Sequence, residues 1–335
     1  MGQPALDHHW YAVASTDQVV DQPLPVTLRY RDYVLWRDSS GQVAAVLDQC
    51  SHRQARLSAG LVEGECIRCP YHGWAFGIDG RCVDIPSSGP DTAIAPAAHL
   101  NALAVEERYG LVWICPGEPL HPIPRVSVDE DPAFTRLNTG TQLWSCSATR
   151  MIDNMLDVAH FPYTHIGTFG RDAAKQVPHF TLTQLDDTFH GYEYEVEVNN
   201  DGDAKAMSGG GDDIVNIAMS TGFALPFSVR STMAYDNGIE QTLFMTAAPG
   251  GADSNGVERS YFTFVLWRND DVSVSGAEIV DFEIQVALED QQMLEGIPGE
   301  LSLDRGALVD TQSDKASVEW RRQLRELIDY SDAAS

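Results

Sequence analysis

The chain has 335 residues, of which 43% are hydrophobic, and its formal net charge is −27 because 49 acidic residues face only 22 Lys and Arg. This length corresponds to about two domains of ordinary size, and the charge excludes non-specific binding to nucleic acid or anionic membranes. No apolar run reaches the ~18 residues of a membrane-spanning helix, and the N-terminus lacks the basic and apolar regions of a secretory signal. We therefore expect a cytoplasmic globular protein.

Residues 1–120 are predicted to form a small β domain. Short runs of β-branched and aromatic residues, separated by proline, glycine and aspartate, are typical of strands. Such runs lie within 8–37, at 41–47, at 66–68 and at 103–114. The proline-rich segment 117–124 is typical of a domain boundary, and it assigns residues 121–335 to a second domain.

Two cysteine–histidine pairs stand on the loops that follow the runs at 41–47 and 66–68. One pair is Cys50 and His52, and the other is Cys69 and His72. Cysteine thiolate and neutral imidazole are ligands of zinc and of iron–sulfur clusters. A single residue between Cys50 and His52 makes it awkward for both side chains to reach one tetrahedral ion. In a binuclear cluster, by contrast, the two cysteines hold one iron and the two histidines the other. The spacing therefore favours a Rieske 2Fe–2S cluster bound by these four residues.

A zinc site and a chance clustering are the alternative interpretations. Cys66 and Cys69 form a C-x2-C pair of the kind that zinc sites use, although a site built on that pair would leave His72 unused. The cysteines outside the four proposed ligands are scattered, which is typical of reduced thiols in a reducing compartment. They are Cys66, Cys82, Cys115 and Cys146.

The second domain opens with a predicted helix at 149–160. On it Asn154, Asp157 and His160 recur every three positions and share one face, and His165 follows on the next segment. Two histidines flanked by a carboxylate suit a 2-His-1-carboxylate iron(II) site. We predict His160 and His165 as iron ligands, with Asp157 and Asn154 as catalytic residues beside them.

The rest of the second domain is predicted as an antiparallel sheet followed by two helices. Strand patterns lie at 180–184, 192–198, 241–246 and 261–267, and helical patterns at 276–295 and 313–329. The acidic segment 199–213 is either a lid or an ordinary loop. Asp290 falls within the apolar stripe of its helix, where a lone carboxylate is costly unless it is paired or binds a metal. It is therefore the predicted third iron ligand. A buried ion pair with an arginine is the alternative role for Asp290. Glu283 shares the stripe as the competing ligand, and Glu289 is predicted to point away.

Nearly the whole chain resembles the α subunit of Rieske non-heme iron oxygenases, and within them the short α-only vanillate, dicamba and methylxanthine demethylases. The motifs that carry the resemblance are Cys50-x-His52, Cys69-x2-His72, Asp157-x2-His160-x4-His165 and the segment 289–295 around Asp290. Respiratory-chain Rieske proteins carry two further cysteines in the cluster loops, where this chain has Ala55 and Tyr71.

The resemblance implies an α+β protein in which an N-terminal all-β Rieske 2Fe–2S domain precedes a helix-grip, START-like catalytic domain with an antiparallel sheet. It implies a homotrimer in which electrons cross between subunits and Asp157 bridges His72 of one chain to His160 of the next. The implied function is that of a terminal oxygenase: O2-dependent monooxygenation, by hydroxylation or oxidative O- or N-demethylation, of a small, mostly uncharged aromatic or heterocyclic compound. The alternatives are a cis-dihydroxylase (a dioxygenase) or a natural-product tailoring oxygenase of the same family, a Rieske electron-transfer protein without oxygenase activity, and a START-like binding protein without catalysis.

The chain carries no dinucleotide-binding, flavin or plant-type ferredoxin motif. Electrons from NAD(P)H must therefore arrive through a separate reductase, with or without a ferredoxin. Arg53, Arg56 and Arg68 in the cluster loops are either the docking patch for that partner or solvated loop charge. The predicted substrate pocket consists of apolar residues on segments expected to face the iron. They are Leu156, Phe161, Met219, Phe223, Met233 and Phe244.

Overall fold

The computed structural model describes residues 4–89, 92–272 and 276–332. Contacts divide the chain into two compact units, one reaching to Pro122 and including Ala248–Ala252, the other comprising the residues from Ile123 onward without that segment. Within the described ranges, no helix combines the length and the apolar character that crossing a bilayer requires.

The first unit consists of short strands with 3-10 turns between them. The strands are β1 Tyr11–Ser15, β2 Leu24–Leu28, β3 Arg31–Arg37, β4 Val43–Leu47, β5 Leu61–Glu63, β6 Cys66–Arg68, β7 Ala75–Gly77, β8 Cys82–Asp84, β9 Ala104–Arg108 and β10 Leu111–Cys115. They form three antiparallel sheets in the orders β1-β10-β9, β2-β3-β4 and β5-β6-β7-β8. Trp36 and Val46 of the second sheet share one apolar core with Ile67 and Phe76 of the third. This core therefore anchors the loops that follow β4 and β6.

The predicted last strand at 103–114 is a hairpin of two strands rather than one. Between β9 and β10, Tyr109 and Gly110 both adopt positive φ angles, 60° and 74°. Two consecutive residues of this kind make the tight turn that antiparallel neighbours favour.

The second unit contains one large sheet and the helices. Its strands are β11 Thr135–Trp144, β12 Thr183–Gln184, β13 His190–Asn199, β14 Ile214–Ala224, β15 Ser228–Tyr235, β16 Glu240–Ala252 and β17 Glu258–Arg268. Its helices are α1 Ala148–Leu156, α2 Phe161–Thr164, α3 Lys205–Ser208, α4 Gly276–Leu294 and α5 Lys315–Asp332. The seven-stranded sheet has the order β11-β17-β16-β15-β14-β13-β12. The predicted fold class, an all-β domain followed by an antiparallel-sheet domain, is confirmed, although β11, β14 and β15 were not predicted.

The prediction of one helix over 149–160 is wrong at its C-terminal end. Helix α1 stops at Leu156, and Asp157 is extended, with φ −89° and ψ 144°. The Asp157 carboxylate accepts hydrogen bonds from the backbone N–H groups of Ala159 and His160, each at 3.0 Å. Such local side-chain bonds compete with helical ones, which is why the chain turns here and begins a second, short helix, α2.

Candidate active site

The two cysteine–histidine loops of the first unit have the same backbone hydrogen-bonding pattern. The N–H of Cys50 donates to the carbonyl of Ala55 at 2.9 Å, and the N–H of Cys69 donates to that of Trp74 at 2.8 Å. The carbonyls of Cys50 and Cys69 accept from Gln54 and Gly73, four residues on, and both of these residues have positive φ, 60° and 74°. Two turns of identical pattern therefore present one cysteine and one histidine each.

The four side chains of these loops lie close together, with the two cysteine sulfurs buried and the two histidine rings nearer the surface. Cys50 and Cys69 are 2% and 3% exposed, and burial, together with the adjacent Cys69 thiol, raises the pKa of Cys50 to about 11. The rings of His52 and His72 lie 4.5 Å apart. Burial and the neighbouring His72 lower the pKa of His52, so its imidazole is neutral, as a metal ligand must be.

This donor set fits a 2Fe–2S cluster. The Nδ1 atom of His52 is buried and has no protein partner among the described residues, which is the state of a nitrogen that ligates a metal. Cys66 lies on strand β6 opposite Glu63 and Gly77, outside both ligand loops. The C-x2-C zinc pairing therefore has no support in the arrangement of the loops.

The second unit brings together the three predicted ligands of the mononuclear site. Helix α2 carries His160 and His165 at its two ends. Their Nε2 atoms are 3.2 Å apart, and Asp290 Oδ1 lies 3.5 Å from the first and 3.4 Å from the second. Gly170 packs directly on α2, where a Cβ would lie 2.2 Å from the carbonyl oxygen of Phe161. This close approach allows the chain after His165 to fold back on the site.

Each histidine is held from behind by a carboxylate. Asp157 Oδ2 lies 2.9 Å from His160 Nδ1, and Glu289 Oε2 lies 2.9 Å from His165 Nδ1. If each Nδ1 donates to its carboxylate, each Nε2 carries a lone pair, and both lone pairs meet the Asp290 oxygen. Three electron-rich atoms that converge in this way repel one another unless a cation lies among them, so the site fits an iron(II) ion.

The prediction that Glu289 points away from the site is wrong. It also accepts a hydrogen bond from Thr168 Oγ1 at 2.8 Å. A helical wheel places Glu289 100° from Asp290, but a glutamate side chain is long enough to reach a histidine beside the helix. Sequence reasoning therefore missed both Glu289 and Thr168.

Asn154 and Asp157 contact the metal ligands. The Asn154 side-chain amide donates to Asp290 Oδ1 at 3.0 Å, which orients the carboxylate. Burial acts to raise the pKa of Asp157, but its hydrogen bonds with His160 and Ala159 outweigh this and lower it. Asp157 is consequently ionised at neutral pH and holds His160 in one orientation.

Beside the three ligands lies a partly open cavity with largely apolar walls. Three of the predicted pocket residues line it: Phe161, Met219 and Met233. Segment 199–213 contributes Asn199, Asn200, Ala204 and Met207 to the wall. The role of this segment, as a lid or as an ordinary loop, stays a prediction.

The other three predicted pocket residues are outside the lining set, so that part of the prediction is wrong. On β16, Leu243 and Met245 line the cavity, and strand alternation turns the intervening Phe244 to the opposite face. Phe223 lies beyond the lining part of β14, with its ring against His190 at 5.7 Å. Leu156 is completely buried at the end of α1.

Glu283, the competing candidate for the third ligand, is buried in the cavity wall rather than beside the histidines. It is 7% exposed, and its Oε1 accepts from Gln241 Nε2 at 2.6 Å. Burial raises its pKa to about 7, against the opposing effects of Gln241 and Arg268. The structure thus places Asp290, and not Glu283, among the three converging atoms.

Comparison with known proteins finds one known domain in the N-terminal part of the chain and a second in the C-terminal part. Residues 9–103 match the Rieske [2Fe-2S] domain, and residues 144–330, more than half of the chain, match the vanillate O-demethylase oxygenase C-terminal domain. The methylxanthine N1-demethylase NdmA of Pseudomonas putida is 27% identical over 332 residues, covering 96% of this chain and 89% of that protein. The oxygenase component of dicamba O-demethylase of Stenotrophomonas maltophilia is 28% identical over 264 residues, covering 77% and 72%.

Solved structures show the same fold. Pseudomonas putida CBB5 NdmA with caffeine superposes with a TM-score of 0.82 at 23% identity, covering 99% of this chain and 93% of that one. Dicamba monooxygenase bound to 3,6-dichlorosalicylic acid gives 0.83 at 22%, covering 98% and 99%. The family resemblance drawn from the motifs is therefore confirmed. The chain belongs to the Rieske non-heme iron oxygenases with a vanillate O-demethylase-type C-terminal domain, enzymes that use a 2Fe–2S cluster and a mononuclear iron.

Proposed function

We propose that the chain is the terminal oxygenase of a multicomponent system and that it oxidatively removes an O- or N-methyl group from a small aromatic or heterocyclic compound. The observation that carries this proposal is the convergence of His160, His165 and Asp290 at one end of a largely apolar cavity. The named relatives, a methylxanthine N1-demethylase and a dicamba O-demethylase, support the choice of reaction.

One group of residues would bind the two metal cofactors, and another orients the metal-binding histidines and lines the substrate cavity. Cys50, His52, Cys69 and His72 would hold the cluster, and His160, His165 and Asp290 the mononuclear iron. When bound, the cluster supplies electrons and the iron supplies the chemistry that lets O2 oxidise a C–H bond. Asp157 and Glu289 keep the two imidazoles oriented, and the apolar walls exclude water from the bound ring.

The homotrimer implied by the resemblance is part of the proposal. The Asp157 side chain is 25% exposed, so it is accessible to a group from another chain while it holds His160. We propose that His72 of a neighbouring subunit is that group, which would connect a cluster in one chain to an iron in the next. Sedimentation in solution, with and without Asp157→Asn, tests the assembly.

We infer that the electron donor is a separate reductase, and the three arginines predicted as its docking patch differ in their ion pairs. Arg68 pairs with Glu63 and Asp84 at 2.5 and 2.9 Å, and Arg56 pairs with Asp32 at 3.0 Å. Arg53 is exposed next to His52, and it makes no ion pair with the described residues. We propose Arg53 as the positive charge available to an acidic partner, in a cytoplasmic setting that suits the four cysteines outside the cluster, none of which forms a disulfide.

Formaldehyde release tests the reaction. The iron-loaded protein, supplied with a surrogate reductase, NADH and O2, is expected to release formaldehyde from a panel of methoxy- and methylamino-ring compounds. Asp290→Ala should abolish release and retain the two cluster irons, and exposed Glu295→Ala is the matched control. Hydroxylated or dihydroxylated products without formaldehyde would favour the alternative oxygenases. A wild type that carries only the two cluster irons would instead favour an electron-transfer protein.

A further inference from the structure

Glu283 is a buried acid in the cavity wall that the iron site does not use. Its side chain is 93% buried and lines the cavity. One carboxyl oxygen, Oε1, accepts the hydrogen bond from Gln241. The second, Oε2, has no hydrogen-bond partner among the described residues. Oε2 is not among the fully buried side-chain atoms of the described residues that lack a partner, so it is accessible from the cavity and can accept a hydrogen bond from a bound molecule.

The groups that contact Gln241 determine which of its side-chain atoms donates to Glu283. Arg268 is fully buried and pairs with Asp270 through two bonds, at 2.8 and 2.9 Å. Arg268 Nη1 also donates to Gln241 Oε1 at 2.9 Å, which leaves the NH2 group of Gln241 to donate to Glu283. Burial raises the pKa of Glu283 to about 7, although Gln241 and the positive charge of Arg268 act in the opposite direction. Above that pH the carboxyl is mostly ionised, and Oε2 is then a hydrogen-bond acceptor.

The distance along α4 suits a ring compound that spans the two ends of the cavity. Glu283 precedes Asp290 by seven residues on the same helix, which is about 10 Å along its axis. Val286 lies between them on the helix, and Met233 and Met245 of the sheet also line the cavity. The hydroxyls of Thr221 and Ser231, which also line the cavity, bond to each other at 3.0 Å.

We propose that Glu283 determines specificity by selecting ring substrates with an N–H or O–H donor at the end remote from the carbon that is oxidised. The identity of the reacting end rests on the proposed demethylase function. A site built to hydrogen-bond a donor rejects the analogue that lacks it, because its buried acceptor is then left unpaired. A purely structural role in the Gln241–Arg268 chain would use Oε1 alone and would not select among ligands.

Two matched pairs of probe compounds test this assignment. The first pair is 6-methoxyindole and 6-methoxy-1-methylindole, and the second is 4-methoxyphenol and 1,4-dimethoxybenzene. In the second member of each pair, a methyl group replaces the hydrogen of the N–H or O–H donor. Binding to the iron-loaded holoenzyme is measured by calorimetry without O2, at a pH of about 8, where the Glu283 carboxyl is mostly ionised. The wild type should bind the donor-bearing member about 10- to 100-fold more tightly.

The variant Glu283→Gln tests whether the carboxylate determines specificity or only supports the structure. The new side chain still accepts from Gln241 but presents an NH2 donor to the cavity, so the preference within each pair should fall to about twofold or reverse. Glu278→Gln, an exposed position on the same helix, is the control and should keep the wild-type ratio. Cluster absorbance and iron content verify that both variants are folded.

Three results would overturn the assignment: no donor-bearing probe binds, the wild type does not discriminate within the pairs, or Glu283→Gln retains the wild-type ratio. Binding without O2 requires no turnover. A protein that shows the preference and releases no formaldehyde would therefore contradict the demethylase function alone, whereas formaldehyde release without the preference would contradict only the role of Glu283.

Discussion

The carboxylate behind His165 offers a quantitative test of how the mononuclear site is held. Glu289 Oε2 lies 2.9 Å from His165 Nδ1 and accepts from Thr168 at 2.8 Å, and its side chain is only 16% exposed. Solvent therefore screens the interaction little. Removal of a carboxylate behind a metal-binding histidine typically costs about 10- to 100-fold in metal affinity, which equals about 1.4–2.8 kcal/mol. We expect a loss of that size in the Fe(II) affinity of Glu289→Gln.

A graded variant and a matched control make the prediction specific. Thr168→Val keeps the Glu289 carboxylate behind His165 and removes the hydroxyl that donates to it, which also lies 3.3 Å from the His165 carbonyl oxygen, so its Fe(II) affinity should fall less than about tenfold. Glu295→Gln changes an exposed acid of the same helix whose partners are Ser145 and Gln291, and it should bind Fe(II) like the wild type. Titration of Fe(II) into protein that retains its cluster gives the affinities. Equal affinities in Glu289→Gln and the wild type, or equal losses in Glu289→Gln and Glu295→Gln, would refute the reasoning.

Three further predictions concern the cluster, electron transfer and the reductase. Cys69→Ser should abolish the visible and reduced-state EPR signals of the Rieske cluster, whereas Cys66→Ser should retain them; the opposite result would exchange their roles. Asp157→Asn should retain the cluster and, with the mononuclear site saturated by Fe(II), lose most turnover, because the connection through His160 is weakened; unchanged turnover would make Asp157 only a structural acid. Arg53→Glu should raise the KM for an acidic reductase while the cluster spectrum stays unchanged, and the wild-type rate should fall with ionic strength because exposed charges are screened over ~10 Å at 0.1 M salt. A rate insensitive to both would place docking elsewhere.

Residues close in sequence were easier to predict as neighbours than residues on different elements. His160 and His165 are five residues apart, and a short helix is enough to bring them together. Asp290 could be predicted because a lone acid stood out in an apolar stripe. Glu289 was missed because a helical wheel gives the direction of the Cα–Cβ bond, while the contact with His165 depends on the length of the side chain and on where α2 packs.

The pocket residues on the strands are hard to predict because the sequence does not show which face of a strand lines the cavity. Alternation along β16 indicates that Phe244 and its neighbours Leu243 and Met245 face opposite sides, but the sequence does not say which side carries the iron. That choice depends on where α4 lies over the sheet, which is a tertiary property. Strands β14 and β15 are hard to predict for a related reason: their strand-favouring residues are mixed with Ser, Ala and Gly, whose β preference is weak until neighbouring strands bury them.

Helix α4 separates substrate selection from iron binding through its own periodicity. Seven residues return within ~20° of the same helix face, so Glu283 and Asp290 both project toward the cavity, two turns apart. Their partners do not overlap: Glu283 contacts Gln241, whereas Asp290 contacts Asn154 and the two histidines. A substitution at position 283 therefore changes the chemistry offered to the far end of a substrate and leaves the metal ligands in place. It follows that proteins of this fold could acquire new substrates at this position without rebuilding the iron site.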